Sequence, residues 1–130
     1  MIPLYQRLAF HNYDAGPQTI HNHVFPGVTL TGLTYSFTVE EDSLVTAFGK
    51  MMFVTTDASL ISLVLYDAVT AAQEDASLQY ANTTWGTLCV HKTIVAPSGT
   101  SFTLRLSSYS IVGAAYDVYS SSFQVDICRA

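Results

Sequence analysis

Charged side chains are scarce in this sequence. Asp, Glu, Lys and Arg make up 12% of 130 residues, about half the ~25% of an ordinary globular domain. The bases are Lys50, Lys92, Arg7, Arg105 and Arg129. So few charges exclude a coiled coil, whose flanks are built of Glu, Lys and Arg. Ten acids against five bases give a net charge of −5, which leaves no electrostatic footprint for a nucleic acid. No apolar run approaches the ~20 residues of a membrane-spanning helix, so membrane insertion is not expected. The start, Met1 to Arg7, lacks a basic segment followed by an apolar stretch, and His11 and Asp14 interrupt what comes next. The reading is therefore no signal peptide and synthesis in a cytoplasm. The two cysteines, Cys89 and Cys128, fit no metal spacing and form no C-x-x-C pair; they read as small buried hydrophobes, a disulfide being disfavoured under reducing synthesis.

Hydrophobic residues are plentiful at 49%, which excludes a disordered tail. The length suits one domain. Thirteen serines and fifteen threonines supply the polar surface in place of charge. Because charge is depleted in interface cores, where desolvation is costly, this surface reads as one covered by another chain.

Period-two alternation of β-branched and aromatic residues runs through the chain. Val28 and Leu30 alternate with threonines, Gly32 shifts the phase as a bulge would, and Leu33, Tyr35, Phe37 and Val39 continue. After the acidic turn at 40–43 a strand returns through Leu44, Thr46 and Phe48, and Met51 to Val54 read as a run covered on both faces. Ser59 to Asp67 is the most buried-looking strand. Residues 68 to 87 are less regular, with an alanine-containing helical turn near 70 to 78 as an alternative. From Thr87 to Val95, Leu88, Val90 and Ile94 share one face, and Cys89, His91, Thr93 and Val95 the other. A Pro97-Ser98-Gly99 turn leads into Phe102, Leu104 and Leu106, and a last strand from about Tyr119 to Cys128 points Phe123, Val125 and Ile127 inward and Gln124 and Asp126 outward. Seven or eight such strands predict an all-β, antiparallel, jelly-roll-like sandwich over 28–130. Residues 1–27 hold Pro3, Pro17, Pro26, His11, His21 and His23 and read as an irregular N-terminal arm with at most one short strand.

Signals for catalysis are weak. His21 and His23 have the spacing of metal ligands on extended chain, but no acid follows in Val24 to Gly27 and no histidine follows the Pro97 turn. No metal and no cofactor is expected. Cys89 and His91 share a strand face at ~7 Å backbone spacing, too far for a nucleophile–base pair. Glu74 and Asp75 are adjacent, not opposed as a glycosidase pair would be. The chain reads as a non-enzyme. Trp85, Tyr109, Tyr116 and Tyr119 could stack on sugar rings or anchor a protein interface, and those facing inward would fill the core.

Leu33 to Val39, Val95 to Phe102 and Ser122 to Ile127 resemble the jelly-roll modules of virus particles, above all bacteriophage capsid decoration (cement) proteins and tail-fibre heads. They are also similar to the trimeric jelly rolls of the tumour-necrosis-factor type. That resemblance implies a homotrimer on a capsid or fibre protein, located in the virion, whose arm grips the shell through Tyr5, Phe10, Tyr13 and Phe25. It implies a non-enzymatic structural protein that bridges neighbouring subunits. The alternative is a carbohydrate-binding or receptor-binding sandwich with a glycan on the Trp85 and tyrosine platform.

Overall fold

Alternating β-branched and aromatic residues favour extended chain, and the computed structural model is built from it. The structure describes residues 5–14, 16–55, 57–81, 85–113 and 115–130, which form nine strands and no helix. These are β1 (Tyr5–Tyr13), β2 (Gln18–Ile20), β3 (Val28–Thr38), β4 (Ser43–Thr55), β5 (Ser59–Asp67), β6 (Ala72–Ala81), β7 (Trp85–Ala96), β8 (Ser101–Val112) and β9 (Tyr116–Arg129). One sheet runs β1–β9–β4–β7 and the other β3–β8–β5–β6, every pairing antiparallel. Strand β1 pairs β9 from Tyr5↔Cys128 to Tyr13↔Ser121, and β2 pairs it further on, from Gln18↔Val118 to Ile20↔Tyr116. They are two parts of one interrupted strand. Counted so, each sheet has four strands, and the crossovers between the sheets make a jelly-roll sandwich.

The segment expected to be an irregular arm is thus largely strand where it is described. Ala9, His11 and Tyr13 lie on the inner side of the sheet and Phe10 and Asn12 on the outer, so the alternation is real although the composition obscures it. Pro17 stands in the break between β1 and β2, where its missing N–H interrupts no ladder. Phe25–Pro26, a cis peptide, lies in the β2–β3 connection.

No helical turn forms near 70 to 78. Residues 68–71 are a turn and β6 follows. The buried carboxylate of Asp67 organises it: Oδ1 accepts from the Val69 and Thr103 backbone N–H groups, each at 3.1 Å, and Oδ2 from Thr70 Oγ1 at 3.2 Å. A short connection and a satisfied acid make a strand-to-strand turn here.

Strand β4 is one unbroken strand, and its inward face is not the expected one. Val45, Ala47, Gly49, Met51 and Phe53 point into the core, while Leu44, Phe48 and Met52 point outward, so Met51 to Val54 are not covered on both faces. The inward position 49 is a glycine because a Cβ there would strike the Leu106 side chain arriving from the other sheet. The remaining core comes from alternate positions as expected: Leu88 and Val90, Phe102, Leu104 and Leu106, Phe123, Val125 and Ile127. Ile61, Leu63 and Leu65 complete it from β5, the most buried strand. At Gly32 (φ +75°) the β3–β8 register shifts between Thr29 and Thr34, the bulge the phase change predicts.

Candidate functional site

The outer face of the β1–β9–β4–β7 sheet is assembled from residues that the ladder lines up in rows. One row is Phe10, Gln124, Phe48 and His91; another is Tyr5, Cys128, Leu44 and Val95; a third is Thr19, Asp117, Val54 and Trp85. Tyr5, Phe10, Phe48, Met52, Trp85 and Val95 are all exposed, Val95 at 73% and Tyr5 at 59%. Among the described residues this face carries Arg7 and Lys50 against Asp117 and Asp126, so its charges cancel. Arg7 Nε approaches Asp126 Oδ1 at 3.6 Å, and its guanidinium lies 5.6 Å from the Phe10 ring centre. Gln124 Nε2 donates to Asp126 Oδ2 at 2.8 Å, and Thr19 Oγ1 to Asp117 Oδ1 at 2.6 Å. The Tyr5 hydroxyl is held above the usual tyrosine pKa, first by its hydrogen bond to the Asp126 carboxylate.

The four aromatic residues expected to act as arm anchors are not brought together. Tyr5 and Phe10 lie on this outer face; Tyr13 is half-buried on the inner side, opposite Ser121. Phe25 lies over the other sheet. Of the four expected stacking residues, Trp85 and Tyr119 do meet, ring centres 4.9 Å apart at 55°. Tyr116 is buried in the core against Phe53 and offers no face to a ligand.

Tyr109 meets Phe25 instead. On the outer face of the β3–β8–β5–β6 sheet, Phe25 stands edge-on to both Tyr109 (6.2 Å) and Tyr66 (5.8 Å). Tyr66 in turn carries Arg105, whose Cζ is 4.9 Å from its ring centre. The β2–β3 connection is pinned there by Gly27 (φ +92°), where a Cβ would run into the Ser108 carbonyl. Tyr66, Arg105, Phe48 and Met52 were missed as site residues. An arginine at an outward position of the cleanly alternating β8 is the one signal that marks Arg105. Phe48 and Met52 had none, because β4 is apolar in both phases.

His21 and His23 are in edge-on contact at 5.5 Å, and His23 Nδ1 lies 2.8 Å from the Ser110 carbonyl oxygen, a donor to it. Among the described residues no three His, Cys, Asp or Glu side chains gather as a metal site. Cys89 is exposed, not buried as expected, because its strand turns that face outward; Cys128 is half-buried, and both are free thiols. The Cys89 and His91 side chains share the outer face, and the His91 backbone N–H donates to Asp75 Oδ2 at 2.8 Å. An open groove of about 250 Å³ runs between β1 and β3, lined by Gln6, Leu8, Tyr35, Phe37, Glu40 and Ile127 among others.

No family model and no curated protein matches the sequence. Solved structures share the fold at low identity. The VP2 subviral particle of infectious bursal disease virus aligns over 93% of this chain at 11% identity and a TM-score of 0.48, and this chain spans 32% of that one. A xylan-binding domain, CBM22-1 from Paenibacillus barcinonensis, aligns over 100% of this chain and 99% of its own at 16% identity and 0.44. A carbohydrate-binding module of Cellvibrio mixtus lichenase 5A, solved with cellotriose, aligns over 96% and 99% at 13% identity and 0.41. The chain spans about a third of the length of the viral chains it resembles. Jelly-roll sandwiches of viral particles and of carbohydrate-binding modules are thus what it is similar to, in fold.

Proposed function

We propose that this protein is a non-enzymatic structural subunit of a virion, a homotrimeric capsid decoration or cement protein. Its outer β1–β9–β4–β7 face packs against protein neighbours in the shell. The observation that carries this reading is the set of exposed Tyr5, Phe10, Phe48, Met52, Trp85 and Val95 on one sheet face. Strand spacing and rise give this face roughly 800 Å², one partner's share of a standard protein interface. Covering it releases free energy only in the assembled state, so docking stabilises the shell by mass action. Light scattering of the purified chain across a dilution series tests the reading. A trimer that Phe48→Asp converts to monomer is expected; a monomer at every concentration overturns it.

The contact of Trp85, 54% exposed, with the half-buried Tyr119 favours a second reading, a carbohydrate-binding or receptor-binding fibre head. A glycan array supports it if binding is found and is lost in Trp85→Ala.

A further inference from the structure

The five bases of this chain are few enough that the placement of each is informative, and Arg105 is placed unusually. It sits mid-strand on the outer face of the β3–β8–β5–β6 sheet, between Thr34 on one side and Tyr66 on the other. Among the described residues no carboxylate lies within ion-pair distance of it. Its side chain is half-buried, spread over the Tyr66 ring at 4.9 Å, and its Nε is buried with no hydrogen-bond acceptor. Desolvating a guanidinium is costly, and a cation–π contact offsets only part of that cost. The ring therefore holds the guanidinium in place, and because Nε is sealed from solvent, the two Nη groups are the edge on which a bidentate anion would seat.

The surroundings indicate which anion. Towards one end of the sheet the face is a ladder of hydroxyls: Thr34 lies opposite Arg105, Ser36 Oγ is 3.0 Å from Thr103 Oγ1, and Thr38 Oγ1 is 2.8 Å from Ser101 Oγ. On the other side stands an aromatic wall of Tyr66, Phe25 and Tyr109, with Phe25 43% exposed. Hydroxyls match hydroxyls, an aromatic wall matches the apolar face of a pyranose, and one cation in a chain of net charge −5 favours a monoanion over a dianion. We infer that Arg105, with the Thr34–Ser36–Thr103 hydroxyls and the Phe25–Tyr66 wall, binds a carboxylated sugar, the carboxylate seated on the guanidinium. This site is on the opposite sheet from the face proposed for assembly and does not depend on it.

Isothermal titration of the whole chain with N-acetylneuraminic acid and with glucuronic acid tests the inference, with glucose, acetate and inorganic phosphate as comparisons. Both sugar acids should bind saturably, with glucose and acetate weaker by about tenfold or more, the loss expected when a charge-assisted bond or the sugar's contacts are missing. Arg105→Gln should abolish binding, and Arg105→Lys, which keeps the charge without the fork, should weaken it. Phe25→Ala should weaken the sugar acids but not acetate. Phe48→Asp, the assembly variant, should bind as the parent does, so that failure of the two readings can be told apart. Sugar acids no tighter than acetate, phosphate tighter than both, or binding indifferent to Arg105→Lys would each overturn the inference.

Discussion

Tyr116 Oη lies 2.6 Å from Ser108 Oγ inside the sandwich, and Ser108 Oγ also lies 2.8 Å from the Ser62 carbonyl. A serine hydroxyl has one proton, and a carbonyl can only accept. Ser108 therefore donates to Ser62, and Tyr116 donates to Ser108. The order of donors predicts unequal costs. Tyr116→Phe removes a donor and leaves Ser108 satisfied, at about 1 kcal/mol; Ser108→Ala strands a buried phenol and should cost about 2 kcal/mol. Urea denaturation of the two variants checks the ranking.

The same phenol makes an alkaline prediction. Burial holds Tyr116 far above the usual 10.0, and the Ser108 hydrogen bond lowers it only partly. Its folded pKa is thus above its unfolded one, so the unfolded chain ionises first. The stability is fully present below pH 10 and is lost as pH rises from there towards the folded value, by up to about 1.4 kcal/mol per pH unit. Tyr116→Phe should fall more gently than the parent between neutral pH and pH 11.5. Parallel curves would show that Tyr116 ionises as easily folded as unfolded.

Gly27 and Gly99 separate backbone strain from collision. Both have positive φ, +92° and +89°, but a Cβ on Gly99 meets nothing within 4 Å whereas one on Gly27 meets the Ser108 carbonyl. Gly99→Ala should cost about 1 kcal/mol, the strain alone. Gly27→Ala should cost clearly more, because it lifts the β2–β3 connection and with it Phe25. Thermal melts of the two variants give the comparison, and equal losses would contradict it.

Asp67 ties the β5–β6 turn to β8 through three accepted hydrogen bonds. Asp67→Ala leaves the Val69 N–H of the turn and the Thr103 N–H of β8 without an acceptor and should cost about 3 kcal/mol; Asp67→Asn, which keeps one carbonyl oxygen, should cost less. Chemical denaturation reads both.

How much of this was legible follows from which strands have a polar side. In the first half of β8, residues 101–106, and the last part of β9, residues 122–127, polar residues such as Thr103, Gln124 and Asp126 alternate with large apolar ones, so period two gives both the strand and its facing. In β4 it gives the strand only: Leu44, Phe48 and Met52 are as apolar as Val45, Met51 and Phe53, and the tie is broken by Leu106, which needs the space at Gly49. That information sits 57 positions away along the chain. Strand β1 was hidden for a related reason, since its stability comes from the free edge of β9 at the far end of the sequence. The Trp85–Tyr119 and Phe25–Tyr66–Tyr109 groupings likewise exist only through pairing across the sheets, so single aromatic residues could be nominated but not their partners.

Trp85 is the single tryptophan, which lets one spectrum separate the two proposed roles of its sheet. Its indole is more than half exposed beside Tyr119, at the opposite end of the face from Tyr5 and Val95. If that face closes on a neighbouring copy, the indole leaves water as the chain associates. Its emission should then shift to shorter wavelength with rising concentration, in step with the mass from light scattering. Phe48→Asp, which alters a different row and does not touch the indole, should abolish both changes together, because a desolvated charge opposes closure of the whole face. If the indole instead serves a sugar, the shift should need added glycan, occur at any protein concentration, and survive Phe48→Asp. A concentration-dependent shift that Phe48→Asp leaves intact would fit neither role and would place the contact at Trp85 itself, away from the centre of the sheet.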